Sequence, residues 1–251
     1  MNQPAILQNS RSRTAAGLAV TLMLAGLGLS GCGVVNAVGK IKHDVESNKG
    51  TIDTFTNRIS ATEGTTFEAT YVTTGGSPAT IVYAVKPPKG VAFTLTPTGA
   101  SSSNGVGRTD IVVNSSGEYY CTPPSSGAGW TCQKPESADA AVKNKILDFY
   151  TPSHWVTFLQ DFSLAAGFAG DKITTSTLTV NGFSMKCVDF RASGVPGTST
   201  VCTTSQGILG YVKVATDSTS FEIRAYSASP PASLFALPPG AKITTTKTGT
   251  T

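Results

Sequence analysis

Four of the five cysteines form two close pairs, Cys121/Cys132 and Cys187/Cys202. Each pair brackets turn-forming residues, Pro123-Pro124-Ser125-Ser126-Gly127 in the first and Ser193-Gly194-Val195-Pro196-Gly197 in the second. Paired ligands of a structural zinc site stand about two to four residues apart, much closer than these. Four cysteines can pair in several ways, but each pair straddles an expected hairpin, so local disulfides are the preferred reading and an oxidising compartment follows. Only two histidines are present, His43 and His154, so a Ser-His-Asp arrangement has at best one candidate base. There is no G-x-S-x-G or Ser-x-x-Lys motif, and the carboxylates are too scattered to nominate a glycosidase pair. Catalytic residues, metal ligands and cofactors are therefore not assigned, and the chain is not read as an enzyme.

The fifth cysteine has a different context. Arg11 and Arg13 precede Ala15–Leu29, a run without a charged side chain, as in a secretory signal. The run is short for a membrane span, which needs about 20 apolar residues. Leu29-Ser30-Gly31-Cys32 then looks like a bacterial lipobox, with small residues beside the scissile bond and a thiol that receives a diacylglyceryl group. Each buried CH₂ of an acyl chain contributes about 0.8 kcal/mol, so two or three chains hold a protein on a bilayer. Residues 1–31 are expected to be a lipoprotein signal peptide and 32–50 a tether lipid-anchored at Cys32. The expected location is the bacterial cell membrane, facing outside the cytoplasm.

Composition narrows the rest. Charged residues make up 14% of the 251 and hydrophobic residues 39%, with 26 glycines. The hydrophobic fraction suffices for a core. A net charge of +4 is too weak to indicate nucleic-acid binding. Gly26–Gly31 fits G-x-G-x-x-G but lies in the signal and follows no strand, so it carries no nucleotide chemistry.

These residues need elements to hold them. Val34, Val38, Ile41 and Val45 recur at helical spacing, as do Ile52, Phe55 and Ile59, with Gly50 between the sets. We read Gly33–Lys49 as a loose juxtamembrane tether for which a helix is the alternative, and then a short helix near 51–60. From Thr65 the period changes to two, and strands are expected over 66–71, 79–86, 91–96, 108–114 and 117–122. Helical patterns follow, one from an N-cap at Ser137 through Val142, Ile146, Phe149 and Tyr150. The next has Thr151 as cap, Pro152 at its first position and Gly167 beyond its end. Its apolar stripe, Trp155, Phe158, Leu159 and Phe162, either packs on the sheet or lines a ligand cavity. Strands resume over 176–181, 183–191, 198–204, 207–216 and 219–225. Residues 51–243 are read as a single domain and 244–251 as a disordered tail.

This layout resembles the lipoprotein- and lipid-carrier superfamily of LolA and LolB, with their lipidated relatives LppX and LprG. The resemblance rests on Thr66-Phe67-Glu68-Ala69-Thr70-Tyr71 as first strand, the segments Tyr83–Phe93 and Asp110–Tyr120, the strand Cys202–Leu209, and the closing Phe235-Ala236-Leu237-Pro238-Pro239-Gly240-Ala241-Lys242. It implies an α+β fold: an antiparallel, half-open β-barrel, a strongly curved sheet with helices covering its concave face. It also implies an apolar cavity for acyl chains. The ligand-binding candidates are then Phe67, Tyr71, Phe93, Leu95, Trp155, Phe158, Leu159, Phe162, Phe183 and Met185, with Lys86 and Lys89 at the edge for a headgroup. The expected function is a membrane-anchored envelope lipoprotein that binds or hands over lipid or an acylated ligand. The alternative is a non-catalytic accessory lipoprotein acting through an envelope protein partner.

Overall fold

The computed structural model describes residues 32–75, 78–98, 107–124, 129–135, 147, 150–169, 171, 173–191 and 195–246; for 32–45, 162–169 and 246 it describes the backbone alone. Residues 1–31, and most of the helix expected from Ser137, lie outside that set.

The first element is longer than its sequence suggests. Helix α1 runs unbroken over Cys32–Ser60, straight through Gly50. A mid-helix glycine costs about 1 kcal/mol relative to alanine. Tertiary burial outweighs that cost, because Ile52, Phe55 and Ile59 all enter the core. Asn48, 4% exposed, also ties the helix to the sheet: its amide donates to the Asp171 carbonyl at 3.0 Å and accepts from the Ile173 N–H at 3.2 Å. Of the two readings of the tether, the backbone takes the helical one.

Among the described residues twelve strands follow, numbered in chain order: β1 Phe67–Thr74, β2 Ala79–Lys86, β3 Gly90–Pro97, β4 Thr109–Asn114, β5 Gly117–Thr122 and β6 Thr131–Pro135. After helix α2, Pro152–Ala169, come β7 Ile173–Val180, β8 Phe183–Phe190, β9 Ser199–Thr204, β10 Leu209–Lys213, β11 Ser220–Ser227 and β12 Lys242–Thr246. They form one sheet in the order β12-β6-β5-β4-β3-β2-β1-β11-β10-β9-β8-β7. Every neighbouring pair is antiparallel except β12 and β6.

This overturns the expected half-open barrel of purely antiparallel strands. The sheet is open and mixed and is not strongly curled, and its outer strands β12 and β7 have no pairing with each other. Barrel closure requires tilt and stagger that bring the two edges into register. Here one edge is instead a late strand added parallel to β6. The two described helices pack on this sheet, α1 through Ile52, Phe55 and Ile59 and α2 through Trp155 and Leu159.

The segment leading to β12 explains that edge. After β11 a 3₁₀ turn, Ala232–Phe235, rests on β3 and β4, and the Asn114 amide donates to the Phe235 carbonyl at 3.1 Å. Leu237 and Ala241 then pack with Trp130 on Tyr119, Cys121 and Cys132, a second small core separate from the main one. The Lys242 N–H donates to the Trp130 carbonyl at 2.7 Å and starts β12. Residues 244–246, expected in a frayed tail, are therefore in the sheet.

Both disulfides have the local pairing expected from spacing. Cys121 faces Cys132 across β5 and β6, and Cys187 faces Cys202 across β8 and β9. Their sequence separations are 11 and 15. Closing loops of that size in the unfolded chain is worth about 3 kcal/mol per bridge. Cys187→Ala with Cys202→Ala is expected to lower unfolding stability by that amount, read from urea unfolding with a steeper slope, because the denatured chain without the cross-link exposes more surface.

Candidate functional site

The alternation along β1 directs Phe67, Ala69 and Tyr71 to the helix-bearing core, and that along β2 does the same for Ile81 and Tyr83. The β3 partner of Tyr83 is Phe93. On β11, Phe221 and Ile223 join them through the β1 register, in which Tyr71 pairs with Ile223 and Thr73 with Phe221. Into the space these strands outline falls Tyr150, just ahead of α2. Its ring stacks on Tyr83 at 4.9 Å and lies 5.8 Å from Tyr71, 5.5 Å from Phe93 and 5.7 Å from Phe221. Tyr71 and Phe221 stack on each other at 4.3 Å. Aromatic pairs at such separations contribute about 0.5–1.5 kcal/mol each beyond the area they bury.

Against this cluster opens a recess of about 420 Å³, with Ile81, Tyr150, Val212 and Phe221 among its walls and Thr73, Asp217, Thr219 and Ser220 supplying polar groups. The volume lies within the range of small-molecule pockets. Asp217 is fully exposed, and its carboxyl is held below the usual range by hydrogen bonds from Thr219. A second recess, of about 530 Å³, lies between α1 and the strands β7 and β8.

The structure brings most of the expected cavity residues into one body. Phe67, Tyr71, Phe93, Trp155, Leu159 and Met185 are buried in the main core, and Leu95 and Phe183 pack half-buried against it. Phe158 is 46% exposed. The Phe162 side chain lies outside the described residues. Of the ten, none is among the described residues lining either recess; the walls come from their neighbours. Lys86 and Lys89 are exposed at the β2–β3 turn and line neither recess. Sequence reasoning placed Tyr150 on an apolar helix face and Phe221 in a strand but gave neither a role in the site. Tyrosine next to a helix cap was the one visible signal. His154 is exposed on α2, edge-on to Trp155. Among the described residues no group of three His, Cys, Asp or Glu side chains could hold a metal ion.

Burial pushes the Tyr83 hydroxyl up to about 12. Burial also raises Tyr150, with a further contribution from Tyr83, and raises Tyr71, with contributions from Tyr150 and Tyr83. In the unfolded chain these groups ionise near pH 10. Below that pH both states are protonated and stability is fully present. Above it only the unfolded state loses protons, so stability falls by about 1.36 kcal/mol per pH unit for each tyrosine until the folded value is passed. Near-ultraviolet tyrosinate absorbance and loss of circular dichroism are expected to rise together above pH 10, with a shallower fall in Tyr83→Phe. In the difference between wild type and Tyr83→Phe, which isolates one ring among the seven tyrosines, a tyrosinate step near pH 10 with the sheet signal intact would mean that the Tyr83 ring is solvated.

No protein-family model matches the chain, and no curated protein matches it. Among solved structures, an uncharacterized conserved protein from Thermus thermophilus is similar at a TM-score of 0.42 and 7% identity, over 78% of this chain and 99% of that one. Among the described residues no helix is long and apolar enough to cross a membrane.

Proposed function

We propose that the chain is a cell-envelope lipoprotein, anchored through Cys32, that holds an acyl chain of a lipid or acylated ligand in the recess against Tyr150 and Phe221. The observation that carries this reading is the recess itself, a 420 Å³ space beside the most aromatic part of the core. Hydrocarbon taken from water into such a wall is stabilised by about 25 cal/mol per Å² of apolar surface removed, with no catalytic group needed. The polar residues Thr73, Thr219 and Ser220 give the recess a side where a headgroup could meet water. The lipobox reading of Leu29–Cys32 supports the anchored part of this reading. The two disulfides are in keeping with a compartment outside the cytoplasm.

Native mass spectrometry of the full chain, extracted in mild detergent and freed of its micelle in the gas phase, tests the reading. A bound lipid mass beyond the covalent anchor is expected. Val212→Trp, which adds bulk to the wall, is expected to reduce its occupancy several-fold. Protein that carries no ligand and takes up no added fatty acid would overturn the proposal.

A further inference from the structure

The second recess differs in chemistry from the first. Ser47, Gly50, Thr51, Thr54, Phe55 and Arg58 line it from α1, positions three and four apart that share one helix face, and Thr175, Lys186 and Cys187 line it from β7 and β8. Phe55, 4% exposed, and Cys187, 1% exposed, supply apolar wall. Arg58 and Lys186 are exposed cations from two different elements. Neither has an ion-pair partner among the described residues, and no described lining residue is a carboxylate. The nearby Lys49 is already neutralised by Asp53 one helical turn on. Two positive charges with no ion-pair partner among the described residues therefore flank a space of about 530 Å³ with apolar and hydroxyl-bearing walls.

We infer that this recess binds a single-tailed, phosphate-headed amphiphile, its tail against Phe55 and Cys187 and its phosphate between Arg58 and Lys186. A guanidinium matches phosphate oxygens with two parallel donors, and an ammonium adds a compact second charge. The Ser47, Thr51 and Thr54 hydroxyls stand beside the tail's path. Those of Thr51 and Thr54 donate to helix carbonyls at 3.2 and 3.0 Å and keep lone pairs for water rather than for an anion. The anion is therefore recognised by the two cations. The inference rests on the reading of the chain as an acyl-binding lipoprotein but uses a different recess.

Gly50 makes the test specific. A Cβ at this position meets nothing within 4 Å, so alanine fits there without a clash and a larger side chain has open space at its base. Gly50→Trp occupies the recess, whereas Gly50→Ala leaves it open. The probe is lysophosphatidylglycerol with a diazirine at the end of its acyl chain, added to the full-length protein in membranes; the neutral monoacylglycerol with the same tail is the comparison. After illumination, adducts of the charged probe are expected on the peptides carrying Ser47–Arg58 or β8, at about tenfold the yield of the neutral probe, the value of one charge-assisted hydrogen bond. Arg58→Gln with Lys186→Gln is expected to bring the charged probe down to the neutral level. Gly50→Trp should remove the adducts and Gly50→Ala retain them, with intact disulfides and an unchanged circular dichroism spectrum as the folding control. Equal labelling by both probes, or labelling insensitive to Gly50→Trp, would overturn the inference. Adducts confined to peptides carrying Tyr150, Val212 or Phe221 would overturn it while supporting the proposed function, and no adduct at either recess would count against both.

Discussion

Replacing Cys32 with alanine is expected to abolish incorporation of labelled palmitate, a loss to background rather than a reduction. The reasoning is chemical. Diacylglyceryl transfer forms a thioether, and alanine at this position has no sulfur to accept the group. The four other cysteines cannot substitute, because they are consumed in the Cys121–Cys132 and Cys187–Cys202 bridges. The energetic consequence is as large. A long acyl chain buries enough methylenes, at about 0.8 kcal/mol each, to make one acyl group a marginal anchor and two or three a durable one. The folded domain should be unaffected, since the described core draws on α1 only from Ile52 onward. Palmitate labelling followed by immunoprecipitation decides the matter: equal label on wild type and Cys32→Ala would remove the anchor from the proposal, whatever the recesses bind.

The second large effect separates buried core from exposed surface on α2. Leu159 is fully buried and Trp155 is 6% exposed, one helical turn apart, whereas Phe158 beside them is 46% exposed. Leu159→Ala is expected to cost about 2–5 kcal/mol, because the lost methyl groups leave a cavity that the sheet can only partly close. In a protein of this size that is a fall of roughly 10 °C in melting temperature. Phe158→Ala should cost about 1 kcal/mol, the value of its edge-on contact with Trp155 at 5.6 Å. Thermal and urea unfolding of the two variants are the measurement. If Leu159→Ala kept wild-type stability and instead reduced lipid loading, α2 would be a cavity wall rather than part of the packed core.

That contrast shows how far the stripe on α2 could be read in advance. Spacing at three and four placed Trp155, Phe158 and Leu159 together, but a stripe wide enough for all three cannot say which member turns to solvent. Packing partners decide it. Burial along β1 and β2 was legible for a simpler reason, since alternation puts every second residue on one face and one register slip would invert the whole set. The aromatic cluster was not legible. Tyr71, Tyr83, Phe93, Tyr150 and Phe221 come from five places in the chain, and no local pattern ties them together.

By itself the sequence determined the features that act over short spans. The β2–β3, β4–β5 and β7–β8 hairpins and the start of α2 at Pro152 follow from turn residues, capping and loops short enough to close at low entropic cost, whereas the cysteine spacing favoured local bridges among several pairings and the strand register settled them. Tertiary structure alone decided the rest. It set β1 between β2 and β11, carried the closing segment across β3 and β4 to make β12 a parallel partner of β6, and held α1 together through Gly50. Each of those outcomes depends on a surface formed by distant parts of the chain, and the free energy that selects it arises only when that surface leaves water.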